Sequence, residues 1–135
     1  MQFIDTNIIL RYLVNEHPEK TQACYNLFRK AQGQKITITT SEAVIAEAVF
    51  VLSSKKHYGL APEEIKNRLS PLLVIPGLKL DYRQTLIKAL ELYGTYQIDF
   101  EDCLSIAHMD RQQLKEIYSY DQDFDQVPEI ERIEP

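Results

Sequence analysis

The feature that most restricts the fold is the alternation of strand-like and helix-like segments along 135 residues, joined by short connections. Gln2 to Asp5 (QFID) spells a short buried strand, and Asn7 to Val14 follows at once with helical periodicity. His17-Pro18 opens a second helix with proline at its first position; Ala23, Cys24, Leu27, Phe28 and Ala31 share one face, and Gly33 is the stop. Lys35 to Thr39 (KITIT) alternates with period two, as a strand does. Thr40 or Ser41 then caps the helix written SEAVIAEAVFVLSS, and Gly59 closes the next turn. Ala61-Pro62-Glu63-Glu64 starts another helix, whose end Pro71 leaves open, and Leu78 to Leu80 forms a weak strand. Asp81 and Gln84 have capping-box spacing before a helix that should stop at Gly94. Asp99 caps the next helix, Phe100 to Gln112; Glu116 to Tyr120 is a strand, DQDFD a turn, and Ile130 to Ile133 the last strand. This order predicts an α/β layer sandwich around a parallel sheet with right-handed crossovers, in one domain spanning 1–135.

In such sheets ligands bind beyond the carboxyl ends of the strands, and Asp5 and Asp121 both stand at such an end. Asp5 lies among apolar residues in FIDTNIILRYL, where a buried carboxylate is costly unless a cation or hydrogen bonds meet it. It is either a cap for the following helix or a cation ligand. Glu47 has Ala43, Val44, Phe50 and Val51 at helical spacing, so its face reads as buried, the alternative being an edge residue that reaches solvent. Asp99 and Asp102 are three apart at a helix N-terminus, where one cap needs only one carboxylate. In YSYDQDFD, Asp121, Asp123 and Asp125 exceed what one turn requires, although each alone reads as turn chemistry. Were the acids of these four segments to converge, mutual repulsion would make the site tolerable only with a divalent cation. Mg²⁺ or Mn²⁺ prefers such oxygen donors and suits phosphodiester hydrolysis.

With FIDTNIILRYL, SEAVIAEAVFVL, IDFEDCLSIAH and IYSYDQDFD in that order, the sequence resembles the PIN-domain ribonucleases, in particular VapC-type toxins of bacterial toxin–antitoxin modules. The resemblance covers essentially the whole chain; its specificity lies in the ordered set, since DTN alone is common. It implies a three-layer α/β/α sandwich with a central, mostly parallel sheet, and a metal-dependent endoribonuclease leaving a 5′-phosphate and a 3′-hydroxyl. By the same resemblance Asp5, Glu47, Asp102 and Asp121 match the catalytic acids, Asp99 an auxiliary acid, and Asn7 a residue supporting Asp5 from behind. Asp123 is an alternative or helper to Asp121 in holding metal. The expected partners are RNA, a cognate antitoxin protein and a second copy of the chain.

Composition limits the alternatives. At 44% hydrophobic and 26% charged, with no apolar run near the ~18 residues that span a bilayer, the chain reads as a cytoplasmic protein without a membrane segment. Cys24 and Cys103 lack metal-ligand spacing and read as reduced thiols, and His17, His57 and His108 form no ligand pair. A net charge of −5 argues against recognition through a basic surface. Setting aside the four metal-site acids leaves the rest nearly neutral, with Arg11, Lys55 and Lys56 as candidates for RNA backbone contacts. An aspartyl-nucleophile phosphatase would need a second aspartate two residues after Asp5, where Asn7 stands. The remaining rival is a catalytically silent PIN scaffold that binds RNA or a protein.

Overall fold

The computed structural model describes residues 1–135. Six α-helices and five short strands alternate along it, every strand pair is parallel, and the class is α/β, as expected from the sequence. The elements fall into two compact units, Met1–Arg83 and Gln84–Pro135.

The first unit comprises β1 (Gln2–Phe3), α1 (Thr6–Leu13), α2 (Pro18–Gln32), β2 (Ile38–Thr39), α3 (Glu42–Ser53), α4 (Pro62–Leu73) and β3 (Leu78–Lys79). Its strands lie in the order β1-β2-β3, with Gln2 beside Ile38 and Ile38 beside Leu78. The Ile4 amide donates to the Thr39 carbonyl at 2.9 Å, and the buried Thr40 hydroxyl donates to the Ile4 carbonyl at 2.8 Å. These two bonds pin the carboxyl end of β1 to the chain leaving β2, which fixes where Asp5 starts α1. Of the two candidate caps for α3, Ser41 does the capping, its Oγ accepting from the Val44 amide at 3.2 Å; Thr40 is spent on β1. The core is aliphatic, built on Ile9, Ile38, Ile45, Leu52, Leu69 and Leu78.

KITIT keeps only Ile38 and Thr39 in the ladder, because the Lys35 amide is drawn to the Lys30 carbonyl as α2 unwinds. Gly33 ends α2 as expected, but at φ −79°; the left-handed residue is Gln34, at φ 57°. Pro71 lies inside α4, since the buried Leu69, Leu72 and Leu73 carry the helix past it. Packing thereby outweighs the hydrogen bond that proline removes.

The second unit holds α5 (Arg83–Thr95, entering from the last residue of the first unit), α6 (Phe100–Arg111), β4 (Glu116–Tyr118), a 3-10 turn (Gln122–Gln126) and β5 (Glu131–Ile133). β4 and β5 pair in parallel, Ile117 beside Arg132. Tyr93 and Phe100 meet edge to face, with ring centroids 5.7 Å apart. The capping-box reading of Asp81 and Gln84 fails, because Tyr82 between them takes φ 54° and the helix starts only at Arg83. Nor does Gly94 stop this helix, which runs to Thr95 and has the Thr95 hydroxyl on the Glu91 carbonyl at 2.8 Å. The predicted strands shorten at both ends of the pair: Ser119 and Tyr120 leave β4, and the Ile130 amide turns back to the Val127 carbonyl.

Candidate active site

In the first unit the acids stand in the open. Asp5 is exposed, with extended backbone at φ −95° and ψ 178°, and its Oδ1 accepts the Ile8 amide at 3.3 Å as the N-cap of α1. The expectation of a buried carboxylate is therefore corrected. An exposed carboxylate keeps its hydration, so burial supplies no argument for a cation at this position. Glu47 is corrected likewise: the buried face of α3 is Ile45, Ala48, Val49 and Leu52, while Glu47 and Ala43 are exposed and Phe50 is 63% exposed. Apolar residues occur all around this helix, so periodicity alone picked the wrong face.

The Thr6 hydroxyl donates to Glu47 Oε2 at 2.6 Å, a bond that ties α1 to α3 across 41 positions. Thr6 was not singled out in the sequence; its only signal is its place in DTN beside Asp5. Asp5, Thr6, Asn7, Arg11, Glu47 and His57 border a cleft of about 540 Å³. Asn7 makes no hydrogen bond to Asp5, so the expected support from behind is not made there. Arg11 stands 3.9 Å from Glu16 Oε2, the same oxygen that the Tyr58 hydroxyl reaches at 2.8 Å, leaving this cation unspent on Asp5 or Glu47. Lys55 and Lys56 are exposed in the turn after α3.

The second unit gathers its acids more closely. Asp99 stands at the N-cap of α6, yet its side chain makes no capping bond, contrary to the expected role. One turn on, Asp102 is half-buried, and its carboxyl is held above its ordinary value of 3.8, first by burial and then by the charges of Asp121, Asp99, Asp123 and Glu101. Asp121 and Asp123, the two acids between which the sequence left a choice, both contribute to this shift. Asp121 Oδ1 caps the 3-10 turn, accepting the Asp123 amide at 2.9 Å. Asp125 stands apart in its partner, since Arg132 Nε binds its Oδ1 at 3.0 Å, whereas no ion pair reaches Asp99, Asp102, Asp121 or Asp123. The Cys103 thiol, beside Asp102, is pushed up to about 12 by burial and the neighbouring acids, so it is an inert structural thiol; Cys24 is likewise free and buried.

Within neither unit do three Asp, Glu, His or Cys side chains stand together closely enough to hold a metal ion by themselves. In kind, the donors of the second unit fit a hard divalent cation: all are carboxylate oxygens, crowded enough to disfavour ionisation of Asp102, and none is neutralised by lysine or arginine. Mg²⁺ is commonly held by only one or two carboxylates, with water and substrate phosphates filling the remaining positions.

A stability prediction follows from the raised Asp102 carboxyl. A carboxyl that holds its proton more tightly when folded loses stability as pH rises from about 3.8 through its folded value, and the penalty is constant above that. Asp102→Asn should therefore raise the Tm of the metal-free protein by roughly a few degrees at pH 7, and the gain should vanish by about pH 3. A lower Tm at pH 7, read by calorimetry, would show that the charge is structural.

The protein is thus of the α/β class, with acids after the carboxyl ends of β1 and β4 and at the N-terminus of α6. Over residues 3–130 the chain matches the PIN domain family, and it belongs to that family. PIN domains are generally nucleases, usually dependent on a divalent metal, and the family's nucleases bind RNA. No curated protein matches the chain. No helix is long and apolar enough to cross a membrane.

Proposed function

We propose that this protein is a Mg²⁺- or Mn²⁺-dependent endoribonuclease, the VapC-type toxin of a toxin–antitoxin pair, acting as a homodimer and restrained by a cognate antitoxin. The observation that carries the reading is the PIN-domain match over residues 3–130, and it is supported by Asp99, Asp102, Asp121 and Asp123, which no lysine or arginine of the chain pairs. Asp5, Glu47, Asp102 and Asp121 are the catalytic acids, with Asp99 and Asp123 as auxiliary metal-site acids. The bound metal supplies Lewis acidity toward the phosphate and its attacking water.

The chain's own groups do the rest. Asp102 and Asp121 contribute anionic oxygens, and Asp5 does so with the oxygen its cap leaves unused. Glu47, steadied by the Thr6 hydroxyl on Oε2, has Oε1 left to orient water. That water adds to phosphorus and the ribose 3′-oxygen departs with a proton, giving a 5′-phosphate and a 3′-hydroxyl without a covalent enzyme intermediate. Arg11, which borders the cleft together with Asn7, and the exposed Lys55 and Lys56 contact the RNA backbone.

The test incubates wild type and Asp5→Asn with transfer, messenger and ribosomal RNA in Mg²⁺ or Mn²⁺, with and without chelator. Cleavage by wild type alone, abolished by chelator, is expected. Cleavage that survives chelator or the substitution defeats the metal mechanism, and no cleavage of any RNA leaves the silent scaffold.

A further inference from the structure

The segment carrying Asp121 and Asp123 is held from behind by one side chain. Arg132 lies in β5, opposite Ile117 of β4, with only 13% of its side chain exposed. Its NH1 donates to the Ser119 carbonyl at 3.1 Å and to Glu134 Oε1 at 2.8 Å. Its other edge grips Asp125 with two bonds, Nε to Oδ1 at 3.0 Å and NH2 to Oδ2 at 3.3 Å. Arg132 thus binds the chain just before and just after the two acids. Between these anchors, Ser119 Oγ accepts the Asp121 amide at 3.0 Å and Asp121 Oδ1 accepts the Asp123 amide at 2.9 Å. No bond of the set consumes Asp121 Oδ2 or the Asp123 carboxylate.

The arrangement has a physical purpose. Asp121 and Asp123 repel Asp102, and a free loop would swing away to relieve that repulsion. A cation placed among them would quench the very charges a metal site needs. Behind the loop, paired with Asp125 and Glu134, it holds the backbone while leaving those charges intact. The guanidinium fork suits this because it binds a carboxylate in two prongs and a carbonyl with a third donor, which one ammonium cannot reproduce in the same plane.

We propose that Arg132 is a positioning residue of the nuclease site, clamping residues 119–125 so that Asp121 and Asp123 are presented as metal-binding groups, with Asp125 as its counter-anchor. This rests on the nuclease reading above. Asp125 is accordingly a structural acid, although its neighbours in DQDFD serve the site.

The experiment follows amide hydrogen exchange by NMR in the metal-free protein, together with Mn²⁺ affinity by titration calorimetry, for wild type, Arg132→Met, Arg132→Lys and Glu134→Gln. In both Arg132 variants the Asp121 and Asp123 amides should exchange at least about 10-fold faster, while the Ser119 amide, bonded to the Ile133 carbonyl, stays protected. Mn²⁺ affinity should fall about 10-fold. Glu134→Gln, which removes a partner outside the loop, should resemble wild type in both readings. Unchanged Asp121 and Asp123 amides overturn the clamp, and so do loosened amides with unchanged Mn²⁺ affinity. Should Arg132→Met also lose the Ser119 amide, the Lys variant, which keeps a cation beside Asp125, decides. A wild-type protein that neither binds Mn²⁺ nor cleaves RNA defeats the nuclease reading itself and takes the site role of Arg132 with it; the exchange data tell the two failures apart.

Discussion

Asp102→Asn should lower RNA cleavage by at least about 100-fold, the upper end of what losing even a supporting metal-site residue costs, while leaving the fold at least as heat-stable as wild type. The two effects share one cause. Asp102 is half-buried and faces the charges of Asp121, Asp99, Asp123 and Glu101, so its own charge opposes folding, whereas under the proposed function that charge would help hold a divalent metal. A residue whose removal strengthens the metal-free protein and abolishes activity is there for chemistry. Combining the change with Asp5→Asn sharpens the test. Groups that act as one unit are strongly non-additive, and once one is gone the second loss costs little. The double variant should therefore cleave about as poorly as the worse single one. Losses that multiply would mean that Asp5 and Asp102 act independently, and the four-acid reading would fail.

Gly77→Ala should be the most damaging single methyl in the first unit, costing about 3 kcal/mol and roughly 10 °C in Tm. A Cβ at this position would run into the carbonyl oxygen of Ala31, lie 2.6 Å from that of Ile36, and stand 2.8 Å from the Ala31 Cα. All three are backbone atoms, and none can rotate away. They cannot be pushed apart cheaply, because the Gly77 amide donates to the Ala31 carbonyl at 2.9 Å and the Gly77 carbonyl accepts the Ile38 amide at 2.8 Å. The end of α2 and the lead into β3 thus meet where only hydrogen fits. Gly33→Ala is the matched control: its φ is −79°, and the nearest atom to a new Cβ is the Arg29 carbonyl oxygen at 3.6 Å. That variant should be neutral or slightly stabilising, since alanine lowers the entropy of the unfolded chain. Urea unfolding of the two proteins side by side reads the contrast, and equal midpoints would show that the approach at Gly77 relaxes.

Local chemistry was legible where a few neighbouring residues set it. The α/β alternation, proline at the start of α2, the Ser41 cap and the positive φ of Gly59 all depend on groups within about one turn, so the sequence carries them directly. The cap alternative that the sequence offered for Asp5 was legible too, since its side chain accepts the Ile8 amide three residues on. The buried side of α3 was not, because Ala43, Val44 and Phe50 spell as good an apolar stripe as Ile45, Val49 and Leu52. Only packing selects between them.

The sequence by itself determined the order of elements and the family, and it nominated the acids on which the proposed function rests. Tertiary structure alone decided their condition: that Asp5 and Glu47 stand in water, that Thr6 steadies Glu47 from 41 residues away, and that Arg132 takes Asp125 while leaving Asp121 and Asp123 unpaired. The physical reason is range. Caps and periodicity act within a turn of the chain, whereas burial and ion pairing depend on which strands and helices are brought together in space.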